Sequence, residues 1–203
     1  MSQYVVNCDG YSCVDNAIVY GIEESIKRAK YPMSTDIHTL NSDLTNGIRS
    51  LANCEKGTGH DQWLCGIILD FDFTLSVKAW TEAERYNFLT FISSQSTMHR
   101  ISKFDLDNQY MEYVDKQISD RVKQLVADYN EDPTPEKYLN ILYSNPAGFK
   151  LTAGMVTNYR QLKTIYAQQK THRLPEWREF CMWIETLPHS ELIIGQEQDN
   201  DKT

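Results

Sequence analysis

Nowhere does the chain run to the roughly 18 consecutive apolar residues of a membrane-spanning helix, so nothing in it is expected to cross a bilayer. The opening Met1-Ser-Gln-Tyr-Val-Val lacks a basic segment followed by a long apolar one, which argues against a secretory signal. Cysteine is sparse: Cys8, Cys13, Cys54, Cys65 and Cys181 form an odd, scattered set of five. Without a signal, they read as reduced thiols of a cytoplasmic protein. Cys8 and Cys13 have neither a second cysteine pair nor a nearby His, so no zinc or other metal site is expected. Basic residues are also few. Twenty Lys and Arg face 28 Asp and Glu, for a formal charge of −8, and no basic face stands out. That argues against a binder of nucleic acid polymers, although a mononucleotide needs only a few well-placed cations. No internal repeat or long linker is visible. Glu82 and Glu84 are no catalytic pair, since residues two apart on a helix do not share a face. No Ser/His/Asp or Cys/His arrangement follows from spacing, because such partners meet only in the fold.

What is present is a globular composition, 41% hydrophobic and 24% charged over 203 residues. This suits a single domain over 1–195 with a real core, followed by a polar tail, 196–203, expected to be disordered. Ala17, Ile18, Ile22 and Ile26 predict a helix over Asp15–Lys30, ended by Tyr31-Pro32. Leu40, Leu44, Ile48 and Leu51 mark a second helix, and Gly57-Thr-Gly59 a turn. Leu64–Val77 reads as a strand. Trp80–Ile92 reads as a helix with an apolar stripe of Ala83, Tyr86, Phe88, Leu89 and Ile92, and Tyr110–Tyr129 as a long amphipathic helix. Pro135 opens another helix. Asn145-Pro-Ala-Gly148 turns into an extended run ending at Thr157, and a helix follows to His172. A last helix starts at Leu174-Pro-Glu-Trp and runs to about Leu187. Trp177, Phe180 and Trp183 at helical spacing read as core, and Tyr110, Tyr113, Tyr129, Tyr138 and Tyr143 read as helix-packing residues that could also stack a ring. The fold class is α+β, a small, mainly antiparallel sheet packed with several long helices.

The junction Asn158-Tyr-Arg160 is the most informative point. An Asn there can cap the helix and still offer its amide to a ligand, and an Arg in the first turn adds to the positive end of the helix dipole. An ordinary cap beside a solvated Arg is the plainer reading. The surroundings of the junction add to it. Asn16-Ala-Ile-Val-Tyr20, Phe73-Thr-Leu-Ser-Val-Lys-Ala79, Thr97-Met-His-Arg-Ile101, Gln109-Tyr110, Leu142 to Arg160 and Pro175-Glu-Trp-Arg178 follow one another in an order and spacing that resemble the flavin-dependent thymidylate synthases. Thr97–Ile101 stands where that family has Arg-His-Arg, Gln109-Tyr110 near its Arg-Tyr, and Asn158-Tyr-Arg160 at its Asn-x-Arg. The resemblance runs over most of 5–187.

The resemblance implies FAD as cofactor, NADPH and methylenetetrahydrofolate as co-substrates, and a pyrimidine mononucleotide such as dUMP as substrate. It also implies a homotetramer that shares its sites between subunits. His99, Arg100 and Asn158 become candidate cofactor contacts; Arg160, Lys103, Tyr110, Gln169, Lys170 and Arg173 become candidate substrate contacts. No catalytic nucleophile is implied, since the cofactor carries the hard chemistry. Four departures stand out. Met98 replaces the first Arg of the motif, Lys103 an expected Ser, and Asp105-Leu106 an Asn-Glu pair. Gln169 stands where a late Arg reads the uracil base, with Lys170 and Arg173 close by as substitutes of different geometry. Three readings follow: flavin-dependent C5 methylation or a related alkylation of a pyrimidine deoxynucleotide; a catalytically degenerate nucleotide- or flavin-binding protein acting by sequestration or protein contact, a role suited to a phage-like or mobile-element protein; and a helical interaction module.

Overall fold

The computed structural model describes residues 2–55 and 57–195. The expected polar tail, 196–203, lies outside them. Among the described residues are a five-stranded antiparallel sheet and nine α-helices: β1 (Gln3–Val5), β2 (Val14–Tyr20), α1 (Ile22–Ala29), α2 (Asn46–Ala52), β3 (Ile68–Ser76), α3 (Val77–Ala83), β4 (Thr90–Ser94), α4 (Thr97–Arg100), α5 (Lys116–Glu131), α6 (Pro135–Ser144), β5 (Lys150–Asn158), α7 (Tyr159–Gln169), α8 (Pro175–Ile184) and α9 (Glu191–Ile194). The sheet order is β1-β2-β3-β5-β4. This is the α+β class the sequence predicts. No helix among the described residues is long and apolar enough to cross a membrane.

The chain forms two compact units. Among the described residues, the first comprises 2–55, 57–72, 86–90 and 155–195; the second comprises 73–85 and 91–154. In the first, α8 buries Trp177, Phe180 and Trp183 completely, as their helical spacing predicts. Phe180 stacks on Phe71 at 5.6 Å and on Trp183 at 5.7 Å between ring centroids. In the second unit, Ile101, Leu106, Val122, Ile141 and Phe149 form the core, with Tyr129 and Tyr138 of α5 and α6 in ring contact at 5.1 Å. Tyr113 and Tyr143 are exposed instead.

Local chemistry sets the element ends. Side chains of Thr45, Ser76, Asp115, Thr134 and Asn158 accept a backbone N–H at the starts of α2, α3, α5, α6 and α7. Four expected helices differ from the structure. The first is a strand, β2, followed by a shorter helix, α1; the spacing of Ala17, Ile18, Ile22 and Ile26 mixed the two. Ala17 and Val19 point inward with period two, and Gly21 then turns the chain at φ 79°. A Cβ at Gly21 would lie 2.6 Å from the Gly66 carbonyl oxygen. Gly21→Ala is therefore expected to lose about 2–3 kcal/mol of stability in urea unfolding, from αL strain plus the clash. The second helix is only α2, because Thr45 caps it there and leaves Leu40 and Leu44 outside. The helix expected over Trp80–Ile92 ends at Ala83; the chain turns, with Leu89 N–H donating to Tyr86 O at 2.9 Å, and Thr-Phe-Ile enters β4. The long helix starts at Lys116 rather than Tyr110, which pairs in an isolated bridge with Phe149.

Candidate functional site

β5 delivers the chain to Asn158 in an extended conformation, φ −136° and ψ 163°. Its Oδ1 accepts the Gln161 N–H at 2.9 Å, so the residue is the cap that its type and position predict. The bond uses the oxygen and leaves the side-chain NH2 as a donor. Tyr159 pins the helix start: it is fully buried, its N–H donates to Ile67 O at 3.0 Å and its hydroxyl to Pro188 O at 2.5 Å. Burial pushes its phenol far above the ordinary range.

Along α7 lies a cavity of about 600 Å³, within the first unit. Asn158, Arg160, Gln161, Lys163, Thr164 and Gln168 line it from the helix, and Cys54, Asp61, Cys65 and Phe88 from elsewhere. Asp61 sits between the two cations. It accepts from Arg160 Nε at 3.0 Å on one oxygen and from Lys163 Nζ at 3.3 Å on the other. Lys163 also donates to Ala52 O at the last residue of α2, where a cation complements the helix end. Burial alone would lower the Arg160 pKa, but the hydrogen bond and charge of Asp61, with smaller contributions from Cys65, raise it, so the guanidinium stays charged. Two cations and one carboxylate leave one net positive charge on this wall. Phe88, 66% exposed, presents a ring.

The sequence-predicted residues divide between the units. Asn158 and Arg160 line the cavity. Gln169 does not: it is 2% exposed and donates through Nε2 to Tyr86 Oη at 2.6 Å. Lys170 is exposed over the Tyr166 ring, 5.6 Å from its centroid, and Arg173 is exposed near the start of α8, its carbonyl accepting from Arg178. In the second unit, His99 and Arg100 are exposed on the single turn of α4, and Lys103 is exposed just beyond. Tyr110 is half-buried, packed edge-on against Phe149, and its hydroxyl donates to Asn145 Oδ1 at 3.1 Å; burial pushes its pKa up to about 12. Leu106, where the resemblance puts a Glu, belongs to that unit's core. Lys163, Asp61 and Gln168 were not among the predicted site residues, and Phe88, expected on the apolar stripe of a helix, is exposed and lines the cavity instead. Lys163, one turn past Arg160, was legible there; Asp61, 99 positions away, was not. Among the described residues no cluster of His, Cys, Asp and Glu could hold a metal ion.

No protein-family model and no curated protein matches the sequence. Solved structures do match. The crystal structure of flavin-dependent thymidylate synthase from Helicobacter pylori complexed with FAD and dUMP aligns over 87% of this chain and 95% of that one, with a TM-score of 0.68 at 14% identity. The chain has the fold of a flavin-dependent thymidylate synthase. A second crystal structure of the Helicobacter pylori thymidylate synthase, also with FAD and dUMP, covers 96% of this chain and 98% of that one, with a TM-score of 0.70 at 12% identity. The thymidylate synthase fold thus accounts for nearly the whole chain, with little residue-level identity.

Proposed function

We propose that this protein is a divergent member of the flavin-dependent thymidylate synthases that binds FAD and a pyrimidine deoxynucleotide such as dUMP, for C5 methylation or a related alkylation of the base. The observation that carries the reading is the cavity along α7, on a fold that matches, almost end to end, proteins crystallised with FAD and dUMP. Its volume lies in the usual ligand range, and its wall joins a net cation, a capping amide and an exposed aromatic ring, a donor set suited to a phosphate and a flat heterocycle. Arg160 and Lys163 would hold the anionic part of a nucleotide and Phe88 its ring, with Asn158 a proposed flavin contact beside them. His99 and Arg100, on the second unit, remain proposed flavin contacts, and Lys103, Tyr110, Lys170 and Arg173 proposed substrate contacts. Bound FAD would supply the hydride; the chain's own residues orient the ligands and provide no nucleophile. NADPH and methylenetetrahydrofolate as co-substrates, a homotetramer and a cytoplasmic location complete the proposal.

A second reading is favoured by Gln169 and Leu106. The first is a neutral, buried partner of Tyr86 and the second a core residue, at positions where the resemblance expects a base-reading Arg and a Glu. Loss of the cation removes stabilisation of charge developing on the ring. On this reading the protein binds the nucleotide or flavin without turning it over.

Purified protein with visible flavin bands, or one that takes up added FAD and binds dUMP, is the expected result. A colourless protein that binds neither would overturn the proposal. Tritium release from C5-labelled dUMP then separates the two readings: release supports alkylation, and binding without release supports the degenerate form.

A further inference from the structure

The far end of the cavity carries a hydrogen-bond relay. Gln169 Nε2 donates to the Tyr86 hydroxyl at 2.6 Å, and that hydroxyl donates its single hydrogen to Gln168 Oε1 at 2.9 Å. Tyr86 is 8% exposed and its ring packs against Trp177 at 5.9 Å, so the hydroxyl is held in place. Gln169 is itself 2% exposed, so its amide is fixed on that hydroxyl. The relay ends on a cavity-lining amide whose oxygen is held by the Tyr86 hydroxyl, and Gln168 Nε2 keeps both its hydrogens for a ligand.

The spacing gives the ligand a direction. Arg160 and Gln168 are eight residues apart on α7, about 12 Å along the axis. An anionic group against Arg160 and Lys163 therefore places the other end of a mononucleotide at Gln168, with Phe88 available to its ring face. A Gln amide locked as donor meets an acceptor well and another donor badly. Uracil presents the O4 acceptor at the position where cytosine presents the N4 amino donor.

We infer that Gln168, positioned by Tyr86 and Gln169, selects a 4-keto pyrimidine nucleotide over a 4-amino one in this cavity. The inference rests on the nucleotide reading above and assigns its base specificity. A site built to donate one hydrogen bond rejects a ligand that cannot accept it.

The test is the ratio of dUMP to dCMP affinity, measured by calorimetry on the full chain saturated with FAD. Wild type is expected to favour dUMP about tenfold. Gln168→Glu changes an exposed residue and puts an acceptor at the cavity end, so the preference should turn toward dCMP. Tyr86→Phe should free the amide to rotate and bring the ratio to within about twofold of unity. If the wild type binds both nucleotides equally, or if Gln168→Glu leaves the ratio unchanged, the relay does not read the base, and the nucleotide site itself still stands. If neither nucleotide binds, the site reading fails and this inference with it.

Discussion

Asp61→Asn is expected to tighten dUMP binding about tenfold while lowering the protein's stability by about 1–2 kcal/mol. The two effects have one cause. Asp61 engages both cations of the cavity wall, accepting from Arg160 and Lys163 on separate oxygens. A phosphate entering the cavity must compete with that carboxylate and also meets its repulsion. The amide keeps the shape and one acceptor but removes the negative charge, so two cations instead of a net single charge face the ligand. Stability falls because Arg160 and Lys163 lose a charge-assisted partner whose side chain is only 14% exposed. The discount from full Coulomb strength reflects Arg160, whose side chain is 37% exposed and screened by solvent. Arg160→Ala should act oppositely on affinity, weakening dUMP binding about ten- to hundredfold as the charge-assisted contact is lost. Calorimetric titration at fixed ionic strength, with urea unfolding of the same samples, measures both. Weaker nucleotide binding by Asp61→Asn would mean that the carboxylate serves the ligand rather than competing with it.

Phe180→Ala has the largest expected effect on stability, a loss of about 3–5 kcal/mol by urea unfolding. The ring is fully buried in a three-ring cluster with Phe71 and Trp183, whose own centroids lie 6.0 Å apart, and with Trp177 edge-on at 6.3 Å. Its removal loses the buried area and leaves a cavity that the rigid rings of Phe71 and Trp183 cannot collapse to fill. Phe180→Leu retains much of the volume and should lose about half as much. Equal losses for the two variants would contradict a stacked aromatic core.

The sequence was most legible where one residue type has one strong local reason to be where it is. Asn158 as a cap, Pro135 and Pro175 at helix starts, and the Trp177–Phe180–Trp183 stripe all follow from nearest-neighbour chemistry. It was least legible where two elements abut without a polar break. Ala17 to Ile26 carries a helical spacing across β2 and α1 because one glycine, Gly21, makes the turn. Ala83, Tyr86 and Leu89 are buried at three-residue intervals, yet only Ala83 is helical; tertiary burial copied the pattern a helix would leave. The site shows the same division. Asn158 and Arg160 were visible as a pair, but the carboxylate that neutralises the arginine and the tyrosine that orients Gln168 come from positions far away in sequence. Gln169 reads in the sequence as a lost arginine; the fold adds that it holds Tyr86.

Ligand protection of thiols tests the central claim, that the nucleotide sits in the cavity along α7. Cys54 and Cys65 line that cavity and are partly exposed, whereas Cys13 and Cys181 are buried and Cys8 lies outside the lining. Burial pushes the Cys181 thiol up to about 12 and raises Cys13 and Cys8 as well, so these three react slowly and serve as internal references. Iodoacetamide labelling read by peptide mass spectrometry, with and without saturating dUMP and FAD, should show Cys54 and Cys65 slowed about tenfold or more and Cys8 unchanged. Unchanged labelling of Cys54 and Cys65 in protein that has bound the ligands would place them elsewhere and contradict the account.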